Sequence, residues 1–135
     1  MPRRYFVDTW FLVALTDRDD GDHRQAVGLD RSLRGSTLVT HDGVLTEMLA
    51  FYSGEGAAAR RVAVDNVRDV MSLYEVWPAD RRLFLRGVDR YERRLDKGYS
   101  LVDCMSMVVM EDHDIQHVLS NDRHFQQAGF TLVNA

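Results

Sequence analysis

Cysteine, proline and lysine are scarce in this 135-residue sequence. The single cysteine, Cys104, excludes an internal disulfide framework and a cysteine-based zinc cluster, so a bound metal would need oxygen or imidazole ligands. The two prolines, Pro2 and Pro78, lie at a terminus and between predicted elements, and no Pro/Gly-rich linker divides the chain. We therefore predict one domain over residues 1–135.

Long apolar runs are also missing from the sequence. The longest run covers residues 10–15, far short of the roughly 20 residues that a membrane-spanning helix needs. The segment before Asp8 is too short for the apolar core of a signal peptide. These features predict a soluble, cytoplasmic protein with no membrane partner.

Positive charge is in deficit, because 17 Lys and Arg face 21 Asp and Glu to give a net charge of −4. This balance excludes a uniformly basic nucleic-acid coat but permits a local basic face. Arg82, Arg86 and Arg90 fall on one stripe of a predicted helix and are candidate contacts for the phosphates of a nucleic acid. The alternative interpretation is a solvated helix face with ion pairs such as Asp89 with Arg93.

Short β-prone runs alternate along the chain with stretches of helical periodicity. This alternation predicts an α/β fold whose mostly parallel central sheet, of four or five strands, has helices on both faces. Ligands of such sheets bind beyond the carboxyl ends of the strands. The predicted strands cover residues 5–7, 37–40, 73–76, 118–119 and 130–133, and the predicted helices cover residues 10–15, 23–33, 44–52, 57–70 and 79–97, with two more beginning at Ser100 and Asp122.

Four acidic residues stand in apolar surroundings, where a solvated surface acid is not expected. They are Asp8, Glu47, Asp103 and Asp122, and the first and last of them follow predicted strands. Charged groups are rarely buried without a partner, so we expect a positive group among them. Hard oxygen ligands without cysteine or a histidine pair suit Mg²⁺ or Mn²⁺, and such an ion would permit metal-assisted phosphodiester hydrolysis.

Each of these acids also has a purely structural interpretation. Asp103 follows Ser100 by three residues, which is the spacing of a capping box. Asp122 is placed to cap the helix that follows it, and Glu47 is free to pair with an arginine. Asp8 has no obvious cap to make, although Asp-Thr is able to begin a turn.

Four sequence segments together resemble the PIN domain and, more narrowly, the VapC-like ribonuclease toxins of toxin–antitoxin pairs. The resemblance runs in order from Phe6 to the C-terminus. The segments are Val7-Asp8-Thr9 with the apolar residues 11–15, Val44-Leu45-Thr46-Glu47-Met48-Leu49, Tyr99-Ser100-Leu101-Val102-Asp103, and Ser120-Asn121-Asp122-Arg123-His124-Phe125 with Gly129-Phe130.

The resemblance implies a three-layer α/β/α fold and Mg²⁺-dependent endoribonuclease activity, with Mn²⁺ as a substitute. It places the catalytic and metal-binding acids at Asp8, Glu47, Asp103 and Asp122. The supporting residues are Thr9, Ser120 and Asn121. It also implies an RNA substrate, a homodimer, and a small cognate antitoxin whose basic side chain enters the acidic pocket. The chain departs from the family pattern at Trp10, where a small residue is usual, and at Asn121.

Other functions remain open at this stage. A housekeeping RNA-processing nuclease would have the same fold and acids. Another phosphoryl-transfer enzyme would use Asp8 as a nucleophile, but the usual Asp-x-Asp is absent and Lys97 is the only lysine. A non-enzymatic interaction module requires all four acids to be structural.

Overall fold

A computed structural model describes residues 3–134 of the chain. Strands and helices alternate along these residues, as the apolar pattern predicts. The elements are β1 (Arg4–Val7), α1 (Thr9–Thr16), α2 (His23–Ser32), β2 (Thr37–His41), α3 (Asp42–Tyr52), α4 (Ala57–Leu73), β3 (Glu75–Trp77), α5 (Arg81–Arg93), α6 (Leu101–Asp112), β4 (His117–Leu119), α7 (Arg123–Gln127) and β5 (Thr131–Leu132).

The five strands form one parallel sheet in the order β3-β2-β1-β4-β5. The chain runs outward from β1 to β2 and β3, then returns to place β4 on the other side of β1. Phe6 pairs with Val118 and Val7 with Leu119, so β1 and β4 end at the same level. This reversal of strand order is where open α/β sheets bind ligands. The predicted parallel sheet of four or five strands is confirmed.

Helices cover the sheet to give three α/β/α layers, as predicted. Helix α1 contacts α2, α3 and α4, whereas α5 packs along α6, and α6 contacts β2, α3 and α7. The largest fully buried side chains include Phe6, Phe11 and Phe125. Among residues 3–134, no helix has both the length and the apolar character needed to cross a membrane.

Helix α6 is the most deeply buried helix of the fold. It begins with a capping box, in which the Ser100 hydroxyl accepts from Asp103 N and the Asp103 carboxylate accepts from Ser100 N. All eight residues from Asp103 to Met110 are buried. A helix that is apolar on every side is typical of a protein core, so the Asp103 carboxylate projects from a rigid support.

His41, at the end of β2, connects three elements of the fold through its imidazole. Its Nδ1 accepts a hydrogen bond from Gly43 N at 3.0 Å, which caps α3. Because Nδ1 is the acceptor, Nε2 carries the proton and donates to Ser106 Oγ on α6, at 2.9 Å. Burial lowers the pKa of His41 to about 4. A neutral imidazole therefore joins β2 and α3 to α6.

Helix α5 differs from the sequence prediction in its bounds, and the face that it buries is not the one that the helical spacing of Phe84, Val88, Tyr91 and Leu95 predicts. It covers Arg81–Arg93, and Leu95 lies beyond its end. The buried positions are Leu83 and Gly87, whereas Phe84, Val88 and Tyr91 are exposed. The missing side chain of Gly87 lets α5 approach α6 closely at this point, and hydrophobic periodicity alone does not reveal which stripe makes that contact.

Two other boundaries also shift from the predicted positions. Helix α4 continues through Leu73, since Tyr74 N still bonds to Val70 O, and β3 begins only at Glu75. Strand β5 covers Thr131–Leu132, two residues of the four predicted. Helix and strand ends are the positions that sequence patterns define least well.

We expect Gly87→Ala to destabilise the protein by about 1 kcal/mol, although alanine favours helix. The added Cβ would lie 2.6 Å from Met105 Cγ and 3.3 Å from Leu101 Cδ1. Overpacking of this kind typically costs about 1–3 kcal/mol, against a gain of about 0.5–1 kcal/mol in helix propensity. Urea unfolding monitored by circular dichroism measures the difference.

Gly28→Ala in α2 is the matched control for this substitution. A Cβ there meets no atom within 4 Å, so it should stabilise the protein by about 0.5–1 kcal/mol through helix propensity. Equal stabilisation by both substitutions would contradict the close packing of α5 on α6 at Gly87.

Candidate active site

Asp8 and Ser120 meet at the carboxyl ends of β1 and β4. Asp8 N donates to Leu119 O at 3.3 Å, which continues the strand pairing by one residue. The Ser120 hydroxyl donates to Asp8 Oδ2 at 2.8 Å and accepts from Asp122 N at 3.0 Å. Both Asp8 and Ser120 are buried. Ser120 therefore joins the Asp8 carboxylate to the turn that carries Asp122.

Glu47 reaches the same edge of the sheet from α3. The Thr9 hydroxyl, at the start of α1, donates to Glu47 Oε1. Because Thr9 directly follows Asp8, this hydrogen bond brings the Glu47 side chain next to the end of β1. The structural alternative for Glu47, an ion pair with arginine, does not occur in the described part of the chain.

Asp103 and Asp122 converge on the imidazole of His124. His124 Nδ1 lies 3.4 Å from Asp103 Oδ2 and 3.2 Å from Asp122 Oδ1. Ligand atoms from these three residues lie within 4.8 Å of one another, and within residues 3–134 they form the one group of three or more metal-ligating side chains so close together. Sequence reasoning missed His124, although the spacing Asp122-x-His124 was a usable signal.

Asn121, the remaining predicted supporting residue, and Trp10, a departure from the family pattern, are each next to predicted site residues in the sequence. Asn121 is exposed, between Ser120 and Asp122. Trp10 is half-buried, and its indole Nε1 donates to Asp22 Oδ2 at 2.9 Å. Trp10 thus anchors the acidic loop before α2.

Two of the four acids make the local caps that the structural interpretation expects. Asp103 takes part in the capping box of α6, and Asp122 accepts from His124 N at the start of α7. Asp8 occupies the N-cap position of α1, but its side chain makes no capping hydrogen bond. Helix capping therefore explains part of the arrangement and leaves the buried Asp8 carboxylate unexplained.

The electrostatic field at this edge of the sheet is strongly negative. In the described residues, no lysine or arginine pairs with any of the four acids. Burial raises the pKa of Asp8 from 3.8 to about 7, and the charges of Asp103 and Glu47 add to the rise, while the hydrogen bond from Ser120 opposes it. Perturbed carboxylates of this kind are typical of functional sites.

The pKa of Asp103 is raised as well. Burial raises its pKa, the hydrogen bond from Ser100 opposes the rise, and the charge of Asp122 adds to it. His124 acts against this by lowering the pKa of Asp103. The charges of Asp103 and Glu47 thus act on Asp8, and the charge of Asp122 acts on Asp103.

The donor set fits a divalent cation. It offers carboxylate oxygens, which Mg²⁺ and Mn²⁺ prefer, together with one imidazole nitrogen, and contains no thiolate. Asp103, Asp122 and His124 are closest together, with Asp8 and Glu47 connected through Ser120 and Thr9.

The arginines of α5 occupy a different setting. Arg86 makes two hydrogen bonds with the carboxylate of Asp112 on α6, and Arg90 pairs with Glu111 at 2.6 Å. Arg82 is exposed. Two of the three candidate RNA contacts, Arg86 and Arg90, are thus in ion pairs between α5 and α6. The alternative interpretation expects ion pairs along α5 instead.

A family model for the PIN domain matches residues 5–131. The chain belongs to the PIN domain family. Among solved structures, it is similar to VapC20 of Mycobacterium tuberculosis, a Sarcin-Ricin loop cleaving toxin, with 27% identity, a TM-score of 0.86, and coverage of 97% of this chain and 99% of that one. The predicted likeness to PIN domains and VapC proteins is confirmed.

More distant structures share the fold of this PIN domain. FitAcB of Neisseria gonorrhoeae is 13% identical, with a TM-score of 0.72 and 96% of each chain covered. VapBC2 of Rickettsia felis, bound to a DNA fragment from its promoter, is 14% identical, with a TM-score of 0.64 and 98% of each chain covered. A search of curated proteins finds no match.

We expect Asp8→Asn to stabilise the metal-free PIN domain at pH 8 but not at pH 4. The folded pKa of Asp8, about 7, lies above its ordinary 3.8. The native state therefore holds a proton that the unfolded chain has released, and stability falls as pH rises between these values. The difference between the two values corresponds to at most about 4 kcal/mol, so we expect a gain of about 1–3 kcal/mol at pH 8.

Urea unfolding in EDTA at both pH values measures this effect. Asp65→Asn, at an exposed position on α4, is the control and should show little difference between the two pH values. An equal effect of Asp8→Asn at pH 4 and pH 8 would contradict an uncompensated buried charge.

Proposed function

We propose that this PIN domain is a Mg²⁺-dependent endoribonuclease and the toxin of a toxin–antitoxin pair. The observation that supports the proposal is the group of Asp103, Asp122 and His124, whose ligand atoms lie within 4.8 Å of one another, without a lysine or arginine partner in the described residues. Hydrogen bonds from Ser120 to Asp8 and from Thr9 to Glu47 support adding these two acids to the proposed site. Carboxylates without counter-charge suit a divalent cation and, through it, an anionic substrate.

The four acids have separate structural roles in this proposal. Asp103 and Asp122 hold the ion, and Asp8 and Glu47 complete the site. Ser120 orients Asp8 through the hydrogen bond to Oδ2, and Thr9 orients Glu47. A bound divalent cation supplies charge for a phosphodiester oxygen and lowers the pKa of water.

RNA is the substrate class that family membership and the likeness to VapC20 support. The VapC20 structure is that of a toxin that cleaves the Sarcin-Ricin loop, and it matches nearly the full length of both chains. The same likeness supports a toxin over a housekeeping RNA-processing nuclease. The cytoplasm, where such RNA is present, is the proposed location.

A small cognate antitoxin is the proposed protein partner. The structurally similar VapBC and FitAB proteins are toxin–antitoxin complexes. The acidic site would attract a basic side chain from such a partner, because no lysine or arginine of the described chain neutralises it. The protein would act as a homodimer. Mn²⁺ would be able to replace Mg²⁺.

We expect Asp103→Asn to reduce RNA cleavage by about 100-fold or more, since several kcal/mol of transition-state stabilisation would be lost with the ion. The assay uses a labelled mixed RNA and a sarcin-ricin stem-loop, with Mg²⁺ or EDTA. Products should carry 5′-phosphates, because water attacks phosphorus directly in this mechanism.

Asp65→Asn is the control for this prediction and should cleave like the wild type. Equal cutting by wild type and Asp103→Asn, both shown to be folded, would reject the proposed nuclease site. A 2′,3′-cyclic phosphate product would reject attack by water.

If the α5 arginines contact RNA phosphates, replacing Arg82 and Arg86 together with glutamine should lower the salt dependence of binding. Each lost contact to single-stranded RNA reduces the slope of log K against log salt by about 0.7. RNA binding to the cleavage-deficient Asp103→Asn protein, measured at several salt concentrations, tests this. An unchanged slope would restrict Arg86 to its ion pair with Asp112.

A further inference from the structure

In the group formed by Asp103, Asp122 and His124, the nitrogen ligand atom comes from His124. We propose that His124 Nδ1 is a direct ligand of the divalent ion held by Asp103 and Asp122, and that this nitrogen raises the preference of the site for Mn²⁺ over Mg²⁺. The inference deepens the proposed function, on which it rests, by naming a residue outside the four acids and an ion preference.

The distances suit a shared ion. Ligands at adjacent corners of an octahedron with bonds of about 2.1 Å lie about 3 Å apart. His124 Nδ1 is 3.2 Å from Asp122 Oδ1 and 3.4 Å from Asp103 Oδ2. Two of the three pairs of ligand atoms are therefore close to the spacing that a shared ion requires, and all three atoms lie within 4.8 Å of one another.

Contacts with Tyr99 and Gly98 hold the imidazole of His124 in this orientation. Its ring packs edge-on against the buried Tyr99, with 5.4 Å between ring centroids and an angle of 71° between the planes. Gly98 lies against the opposite nitrogen, since a Cβ there would be 3.4 Å from Nε2. These contacts turn Nδ1 toward the two carboxylates.

The backbone couples His124 to a second ligand. Asp122 Oδ1 accepts from His124 N at 2.9 Å at the beginning of α7. The same turn is joined to Asp8 through Ser120, whose hydroxyl bonds to both Asp122 N and Asp8 Oδ2. An ion held by His124 and Asp122 is thereby in contact with a prearranged network.

A nitrogen ligand changes which ions the site prefers. Mg²⁺ favours oxygen ligands and retains several waters, whereas imidazole binds first-row transition ions, whose affinity for nitrogen-containing sites rises from Mn²⁺ through Co²⁺. A site made only of carboxylates would discriminate less between Mg²⁺ and Mn²⁺. The imidazole therefore gives Mn²⁺ an interaction that Mg²⁺ uses poorly.

The test is Mn²⁺ and Mg²⁺ binding to the full chain without RNA, in the wild type and in His124→Asn. Asparagine keeps an oxygen donor but removes the ring nitrogen. Pulsed electron paramagnetic resonance of the Mn²⁺ complex should detect nitrogen coupling in the wild type and none in the variant. Calorimetry should show Mn²⁺ affinity reduced about 10-fold, within the range known for altered metal sites, with Mg²⁺ affinity changed less than about 2-fold.

His113→Asn is the matched control, because His113 caps the end of α6 far from Asp103 and stacks on Trp77. It should leave both affinities and the nitrogen coupling unchanged. Absence of nitrogen coupling in the wild type, or equal loss of affinity for both ions in folded His124→Asn, would overturn the proposal. The wild-type spectrum decides the point even if His124→Asn does not fold.

The outcome is separable from that of the proposed function. Nitrogen coupling in a wild-type protein that cuts no RNA would support the ligand and reject the nuclease. Metal-dependent cleavage that requires Asp103, without nitrogen coupling, would support the nuclease and reject His124 as a ligand.

Discussion

Burial of the Asp8 and Asp103 carboxylates beside the β1–β4 edge, together with repulsion among the acids, is the constraint on which the rest of the structure depends. Two carboxylates about 4 Å apart repel by about 4 kcal/mol at an effective dielectric near 20. The fold opposes this repulsion with two hydroxyls, Ser120 on Asp8 and Thr9 on Glu47, and with the imidazole of His124. The supporting elements are a central strand pair and the buried helix α6, which are rigid enough to hold the unfavourable arrangement.

Two buried titratable groups next to this edge have opposite pH requirements. The raised pKa of Asp8 makes the metal-free fold less stable as pH rises from about 4 to about 7. His41 must stay neutral, and its pKa of about 4 lies below the ordinary 6.5, so its contribution is lost as pH falls between those values. Above neutral pH, His41 is neutral, whereas the ionised carboxylates of Asp8 and Asp103, whose pKa values burial raises, carry a cost that a bound cation would remove.

The sequence predicted the elements well where apolar periodicity decides them, and it predicted that Asp8 and Asp122 follow strand ends. Strand order depends on pairing between distant segments, which no local pattern encodes, so the adjacency of β1 and β4 was not foreseen. The buried face of α5 differs from the predicted one because Gly87, a residue without a side chain, makes the contact with α6. His124 was not predicted as a site residue because the sequence has no histidine pair at metal-ligand spacing. The structure instead combines one histidine with two carboxylates.

The position of β4 between β1 and β5 also has a consequence for protein synthesis. Asp8 is translated long before Ser120, whose hydroxyl orients it, and Asp122 and His124 come later still. Strands β1 to β3 and helices α1 to α6 therefore leave the ribosome before the residues that complete the acidic site. Assembly of that site is delayed until β4 and the turn after it have been translated, so it follows the start of folding.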